Sequence, residues 1–211
     1  MAFSGYQAQL LAAGSPVSFS EEAGSTSDYQ KFVITDDQKS IFDHQAELTV
    51  EESKDGSSWT LSDSASYTVN RLEGSVTFLK PRETNISIRF SGSYLPLSKA
   101  GQSYEYTYTI EVENQEVPEF GTAYQKRAKG LTSVSGEIAN WYNTNSLLGT
   151  ALQENKIVVI QFRSIDAAVP DLSVWATISA SEVASTADGI VEESIEFEST
   201  TDSDGRMFNF G

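Results

Sequence analysis

The chain has 211 residues, with 30 acidic side chains against 14 basic ones, a net charge of −16, a single histidine and no cysteine. The missing cysteines exclude a disulfide framework, a thiolate metal site and a thiol nucleophile. The acidity disfavours ordinary binding to nucleic acid, whose phosphates demand cations.

The length suits one large all-β domain, or a medium domain with a small one. No apolar run approaches the roughly 18 residues that span a bilayer. The opening Met1–Gln7 lacks the basic start and apolar core of a secretory signal, so synthesis in the cytoplasm and no membrane insertion are expected. The charge is unevenly spread. Residues 1–100 hold 13 acids and 8 bases, residues 101–211 hold 17 and 6, and Ser181 to Gly205 holds eight acids and no base.

Taken in chain order, short alternating segments rich in Tyr, Thr, Val, Ile and Phe dominate, separated by Gly, Ser, Asp and Asn. That is the all-β pattern. The N-terminal candidates are Lys31–Thr35, Ala46–Glu51, Ser58–Leu61, Ser66–Asn70, Ser75–Leu79 and Asn85–Leu95, with a turn at Lys54–Ser58. Residues 20–28 and Lys80–Thr84 read as loops. These breaks predict a small accessory β region at residues 21–85, inserted into a larger domain made of residues 1–20 and 86–211.

The clearest strand is Tyr104–Glu113, with Tyr104, Tyr106, Tyr108, Ile110 and Val112 on one face and Glu105, Thr107, Thr109, Glu111 and Glu113 on the other. One helix is predicted after Asn145 or Ser146, with Leu147, Leu148, Ala151 and Leu152 as its apolar stripe and Glu154-Asn155 as its end. Strands follow at Lys156–Arg163, Leu172–Val183 and Val191–Ser199, the last two joined by a turn at Ala187-Asp-Gly189. In the last strand Val191, Ile195 and Phe197 point inward, and Glu192, Ser194, Glu196 and Glu198 point outward.

Catalysis finds little purchase. His44 beside Asp43 is a turn residue before it is a base, and one histidine supports no Ser/His/Asp or His/Cys constellation. The paired acids Asp36-Asp37, Glu51-Glu52 and Glu192-Glu193 point to opposite faces of a strand, so neither member helps the other hold an ion. Asp202-Ser-Asp204-Gly-Arg206 reads as a solvated tail rather than a cation loop. No catalytic residue, metal ligand or cofactor site is assigned, and a β-sandwich glycosidase or esterase is disfavoured. The basic cluster Lys126-Arg127-Ala-Lys129 sits in a stretch that does not alternate like a strand. On so acidic a chain its complement is another copy of the chain, which makes Lys126, Arg127 and Lys129 inter-subunit candidates.

The stretch Phe120–Tyr142, with its Gly, basic and aromatic spacing ahead of a short helix, resembles the major tail tube proteins of long-tailed, siphovirus-type bacteriophages. The helix Ser146–Glu154, the strand Ile157–Ser164 and the ending Asp188–Thr200, with its Val-x-x-x-Ile-x-Phe-x-Ser core, continue the likeness in order. Ile34–Lys39 and Tyr67–Phe78 resemble the extra β region that some of these proteins carry.

The resemblance implies an all-β fold, a tail-tube β-sandwich or barrel with one flanking α-helix, plus the small β-rich N-terminal region. It implies subunits in hexameric rings, stacked into a tube, whose inner sheets form a channel that DNA traverses without specific binding. It also implies a place in the virion tail, with a tape-measure protein and tail terminator or tip proteins as partners. The candidates for the channel lining are Glu105, Thr107, Thr109, Glu111 and Glu113, then Glu192, Glu196 and Glu198. An extracellular Ig-like adhesin or carbohydrate-binding β-domain is the alternative, and a contractile-tail tube is a variant of the leading class.

Overall fold

A computed structural model describes residues 9–100, 103–117, 126–143, 146–163, 170–185 and 189–210. The chain is all-β with one short α-helix among these residues. The strands are β1 (Gln9–Ala13), β2 (Val17–Ser25), β3 (Lys31–Ile34), β4 (Thr49–Ser53), β5 (Thr60–Leu61), β6 (Tyr67–Asn70), β7 (Ser75–Phe78), β8 (Ser87–Tyr94), β9 (Leu97–Lys99), β10 (Ser103–Val117), β11 (Lys126–Trp141), β12 (Val158–Arg163), β13 (Leu172–Ala184), β14 (Glu192–Ser199) and β15 (Phe208–Phe210). Helix α1 spans Leu147–Glu154.

The chain divides into two compact units. Unit 1 holds Met1–Ala100, Val158–Trp175 and Thr201–Gly211; unit 2 holds Gly101–Ile157 and Ala176–Thr200.

Unit 1 contains an antiparallel seven-stranded sheet in the order β5-β4-β8-β2-β3-β7-β6. Alternation puts one residue in two against a phenylalanine-rich core of Phe19, Phe32, Phe42, Phe78 and Phe90, filled by Ile34, Val50, Val76 and Ile88. Phe19 stacks on Phe42 at 5.7 Å, and Phe32 meets Phe78 edge-on at 5.7 Å, both favourable aromatic geometries. Unit 1 also holds β12 and β9 on either side of β1. β15 lies on the first residues of β13. Phe162, Val174 and Trp175 are fully buried there.

The expected loop at residues 20–28 is confined to residues 26–28, and its first part is strand. β2 runs through Val17–Ser25, with a register shift against β8 between Phe19 and Glu22 and a positive φ of 58° at Glu21. That bulge breaks the alternation by one residue and hides the strand from a period-two reading. The turn at Lys54–Ser58 forms as expected. The Asp55 carboxylate accepts the Ser57 and Ser58 N–H groups, both at 2.8 Å, and these bonds lower its pKa to about 2. Trp59 is half-buried beneath the Arg89 guanidinium, 4.4 Å from the ring centre.

Asp202–Arg206 is likewise no solvated tail. Asp202 is 6% exposed and accepts the Asp204 and Arg206 N–H groups at 3.0 and 2.8 Å. Asp204 in turn accepts Arg71 Nε at 2.7 Å. The Arg71 side chain is 8% exposed, and its Nη1 donates to the carbonyls of Asp43 (2.6 Å) and Ala46 (2.8 Å). His44, next to that loop, is half-buried against Trp175, 5.5 Å between ring centres, with Asp43 Oδ1 3.2 Å from its Nδ1. One buried cation therefore ties the C-terminal segment to the loop around His44.

Replacing Arg71 by methionine keeps much of the volume but leaves the half-buried Asp43 and Ala46 carbonyls and Asp204 without their donor. The expected loss is about 2–4 kcal/mol of stability, read as a lower midpoint in urea unfolding, against less than about 1 kcal/mol for the exposed Lys54→Met.

Candidate functional site

Unit 2 carries four antiparallel strands in the order β10-β11-β14-β13. Its register sorts every described side chain to one of two faces. On the first face, Tyr106 lies opposite Ile138, which neighbours Ile195. Tyr108 lies opposite Gly136, which neighbours Phe197 and then Ile178. Ile138, Val134, Ile195 and Phe197 are buried to 1% or less. This is the core face of the unit.

Helix α1 forms where predicted. Ser146 is the cap: its Oγ accepts the Gly149 N–H at 3.0 Å, and Asn155 closes the helix in the left-handed conformation at φ 49°. The alternative cap, Asn145, lies outside the described residues. Leu148 and Ala151 are buried, and Leu147 and Leu152 are half-buried.

The second face is polar and acidic. Glu105 pairs with Ala139, beside Ser194 and Glu182. Thr107 pairs with Glu137, beside Glu196 and Ala180. Thr109 pairs with Ser135, beside Glu198 and Thr177. Glu111 pairs with Ser133, and Glu192 lies between Trp141 and Ala184. None of these residues is buried. The register thus brings seven glutamates onto one solvent-facing surface, with no lysine or arginine among these positions. Glu137 and Glu196 stand directly opposite each other, an arrangement that costs stability. The Ser194 hydroxyl donates to Glu137 and softens that repulsion.

Seven of the eight residues assigned to a channel lining from sequence, Glu105, Thr107, Thr109, Glu111, Glu192, Glu196 and Glu198, share this one face although they come from two separate strands. Glu113 is also exposed but falls at a register shift between Val112 and Asn114, so the pairing gives it no cross-strand partner on this face. Glu137 and Glu182 belong to the same surface and were missed, because β11 reads as a glycine- and serine-rich segment and Glu182 lies just before the bulge at Ile178/Ala180 in pairing order.

Tyr104 departs from the expected apolar face. A register shift between Ser103 and Glu105 lets its ring lie on Trp141, 4.6 Å between centres. Partial burial first, and then the charges of Glu192 and Glu105, push its phenol above the usual pKa. Glu193 points to the core face instead, 5% exposed, accepting the Ser181 hydroxyl at 2.9 Å.

The cluster Lys126, Arg127 and Lys129 is not in a loop. It opens β11, with Arg127 opposite Glu116 and Lys129 opposite Asn114. Gly130 conceals the strand: a Cβ there would meet the Glu113 carbonyl oxygen at 2.4 Å, so the position favours a residue without alternation value. The preceding Phe120–Tyr124, and Ala187-Asp188 of the expected turn, lie outside the described residues. No group of three or more His, Cys, Asp or Glu able to hold a metal ion occurs among the described residues, and no described helix is long and apolar enough to cross a membrane.

No family model and no curated protein matches the sequence. Among solved structures, the chain is similar to one from the tail of an empty gene transfer agent particle with C6 symmetry, at 11% identity and a TM-score of 0.45, covering 55% of this chain and 87% of that one. It is similar to another from the virion of a native gene transfer agent particle, at 11% identity and a TM-score of 0.46, covering 55% and 88%.

The two faces meet at Gly136. A Cβ there would lie 2.2 Å from the Thr107 carbonyl oxygen and 2.7 Å from the Phe197 ring. Gly136→Ala is expected to lower stability by about 2–3 kcal/mol through overpacking. Thermal unfolding checks this, with Ser135→Ala on the wet face as the near-neutral control.

Proposed function

We propose that the chain is a structural tail-tube subunit whose acidic sheet face lines a channel for DNA. The observation that supports this best is the concentration of Glu105, Glu111, Glu137, Glu182, Glu192, Glu196 and Glu198 on one exposed face. The Glu137–Glu196 pairing is unfavourable for folding, so the charge on this face is not there for stability. A surface of this sign repels phosphates and keeps a passing duplex off the wall, where a basic one would bind and stall it.

In this reading the subunits assemble into hexameric rings that stack into the tail tube of a virion. β10 ends the strand order of unit 2 among the described residues. Pairing across subunits at the end of a sheet order is one way such an assembly protects its edge strands from aggregation. Lys126, Arg127 and Lys129, on the part of β11 that extends past β14, supply cations for acidic neighbours in the next subunit or ring. The tape-measure protein and the terminator or tip proteins are the partners this role requires. Residues 21–85 are an accessory region on the outside of the tube.

Purified protein is expected to form rings or tubes in negative-stain images. Charge reversal at Lys126, Arg127 and Lys129 together is expected to reduce tube yield at physiological salt at least several-fold. Persistent monomers at high concentration, even with tail-assembly partners present, would contradict the tube reading; unchanged assembly of the triple variant would remove these three cations from the interface.

The channel assignment has its own test. Glu111→Lys, Glu196→Lys and Glu198→Lys combined are expected to make assembled tubes retain short duplex DNA. That binding should weaken steeply with added salt, while wild-type tubes retain none. Tubes that carry the three lysines and still ignore DNA would place this face away from the channel.

A further inference from the structure

The seven-stranded sheet of unit 1 ends in β5 on one side and β6 on the other. The two ends are near in sequence, separated by Ser62, Asp63 and the 3-10 turn Ser64–Ser66. No ladder joins them among the described residues: β5 pairs only with β4, and β6 only with β7. A cleft of ≈ 1090 Å³ lies along this seam, with Leu48, Thr49 and Leu61 on one side and Tyr67, Thr68 and Val69 on the other. It stands at the upper limit of ordinary ligand pockets, roughly 300–1,000 Å³.

The floor of the cleft is apolar. Leu48, Tyr67 and Val69 are half-buried against the phenylalanine core. Its rim is acidic, with Glu47, Asp63 and Asp204. Burial first, then the charges of Asp63, Glu47 and Asp204, raise the pKa of the Tyr67 phenol. Two arginines also line the cleft, the exposed Arg206 and Arg71; Arg71 is engaged by Asp204 and two carbonyls, so Glu47 and Asp63 are the rim carboxylates not paired with it. Ser62 also lines the cleft; it is 4% exposed and its hydroxyl is buried without a hydrogen-bond partner.

β6 is a short edge strand of four residues, and its Asn70 side chain donates to Asn209 Oδ1 at 3.2 Å, but it carries few other protections. Tyr67-Thr-Val-Asn70 contains no proline and no charge, and it pairs with β7 without a bulge.

We propose that this seam is a strand-acceptor site: an extended segment of a partner protein, with Lys or Arg at alternate positions, adds to the free edge of β6 and fills the cleft. An added strand supplies the backbone pairing that β6 lacks. Its period of two sends every second side chain to the same side. A cation there meets Glu47 and Asp63 at the rim and the face of Tyr67 on the floor. The inference does not depend on the tube reading, since every residue it uses lies in unit 1.

Fluorescence anisotropy with the full chain and a short labelled peptide alternating valine and lysine tests it. The expected affinity is on the order of micromolar. A peptide with proline in place of the central valine loses the ladder and should bind at least about tenfold more weakly. Glu47→Gln combined with Asp63→Asn should weaken the parent peptide about as much. Both positions are exposed, and asparagine can still cap the 3-10 turn as Asp63 does. Failure of the parent peptide to bind would overturn the proposal. So would equal binding of the proline peptide, which would mark a response to the chain's overall charge, or unchanged affinity of the double variant.

Discussion

The register of β11 between β10 and β14 is the constraint on which unit 2 depends. Ile138 lies between Tyr106 and Ile195, and Glu137 lies between Thr107 and Glu196. A slip of one residue would send the glutamates inward and the core outward. Two features hold the register. Phe197 lies against Gly136, where only hydrogen fits, and full burial of such a ring contributes about 1.5–3 kcal/mol. The core face also contains Val134, Ile138 and Ile195, all essentially inaccessible. The apolar face therefore determines the pairing, and the acidic face follows from it.

That dependence explains how an electrostatically unfavourable surface persists. Seven glutamates on one face repel one another, and the direct Glu137–Glu196 pair is the sharpest conflict. Each exposed pair costs roughly 0.2–1 kcal/mol, which a buried aromatic and three buried aliphatic residues offset readily. Screening by salt reduces the cost further at distances beyond about 8–10 Å. Charge that a fold tolerates rather than needs is available for function, and the exclusion of a polyanion is the use we propose for it.

Much of this was legible in the sequence. Strands with strict alternation, Tyr104–Glu113 and Val191–Ser199, showed their faces directly, and the helix was marked by Ser146, its leucines and Asn155. Part of what stayed hidden has one physical cause: bulges and glycines interrupt the period of two. β2 carries a bulge at Glu21, and the start of β11 carries Gly130 packed against the Glu113 backbone. β1, β9 and β15 are three to five residues long, too short for a pattern. The ordered turn at Asp202–Arg206 depends on Arg71, more than a hundred residues away, and no local rule can report such a partner. That the two acidic strands share one face is also a tertiary fact, visible only once β11 is seen to lie between them.

The absence of cysteine makes the central claim directly measurable. A single Thr109→Cys places one thiol in the middle of the acidic face, and Ser57→Cys places one on the exposed turn of unit 1. Both should react with a bulky maleimide polymer in the dispersed protein. In assembled tubes, Ser57→Cys should remain reactive and Thr109→Cys should be protected, because a channel lining is closed to a large reagent. Full reactivity of Thr109→Cys in intact tubes would contradict the account, since the acidic face would then lie on the outside.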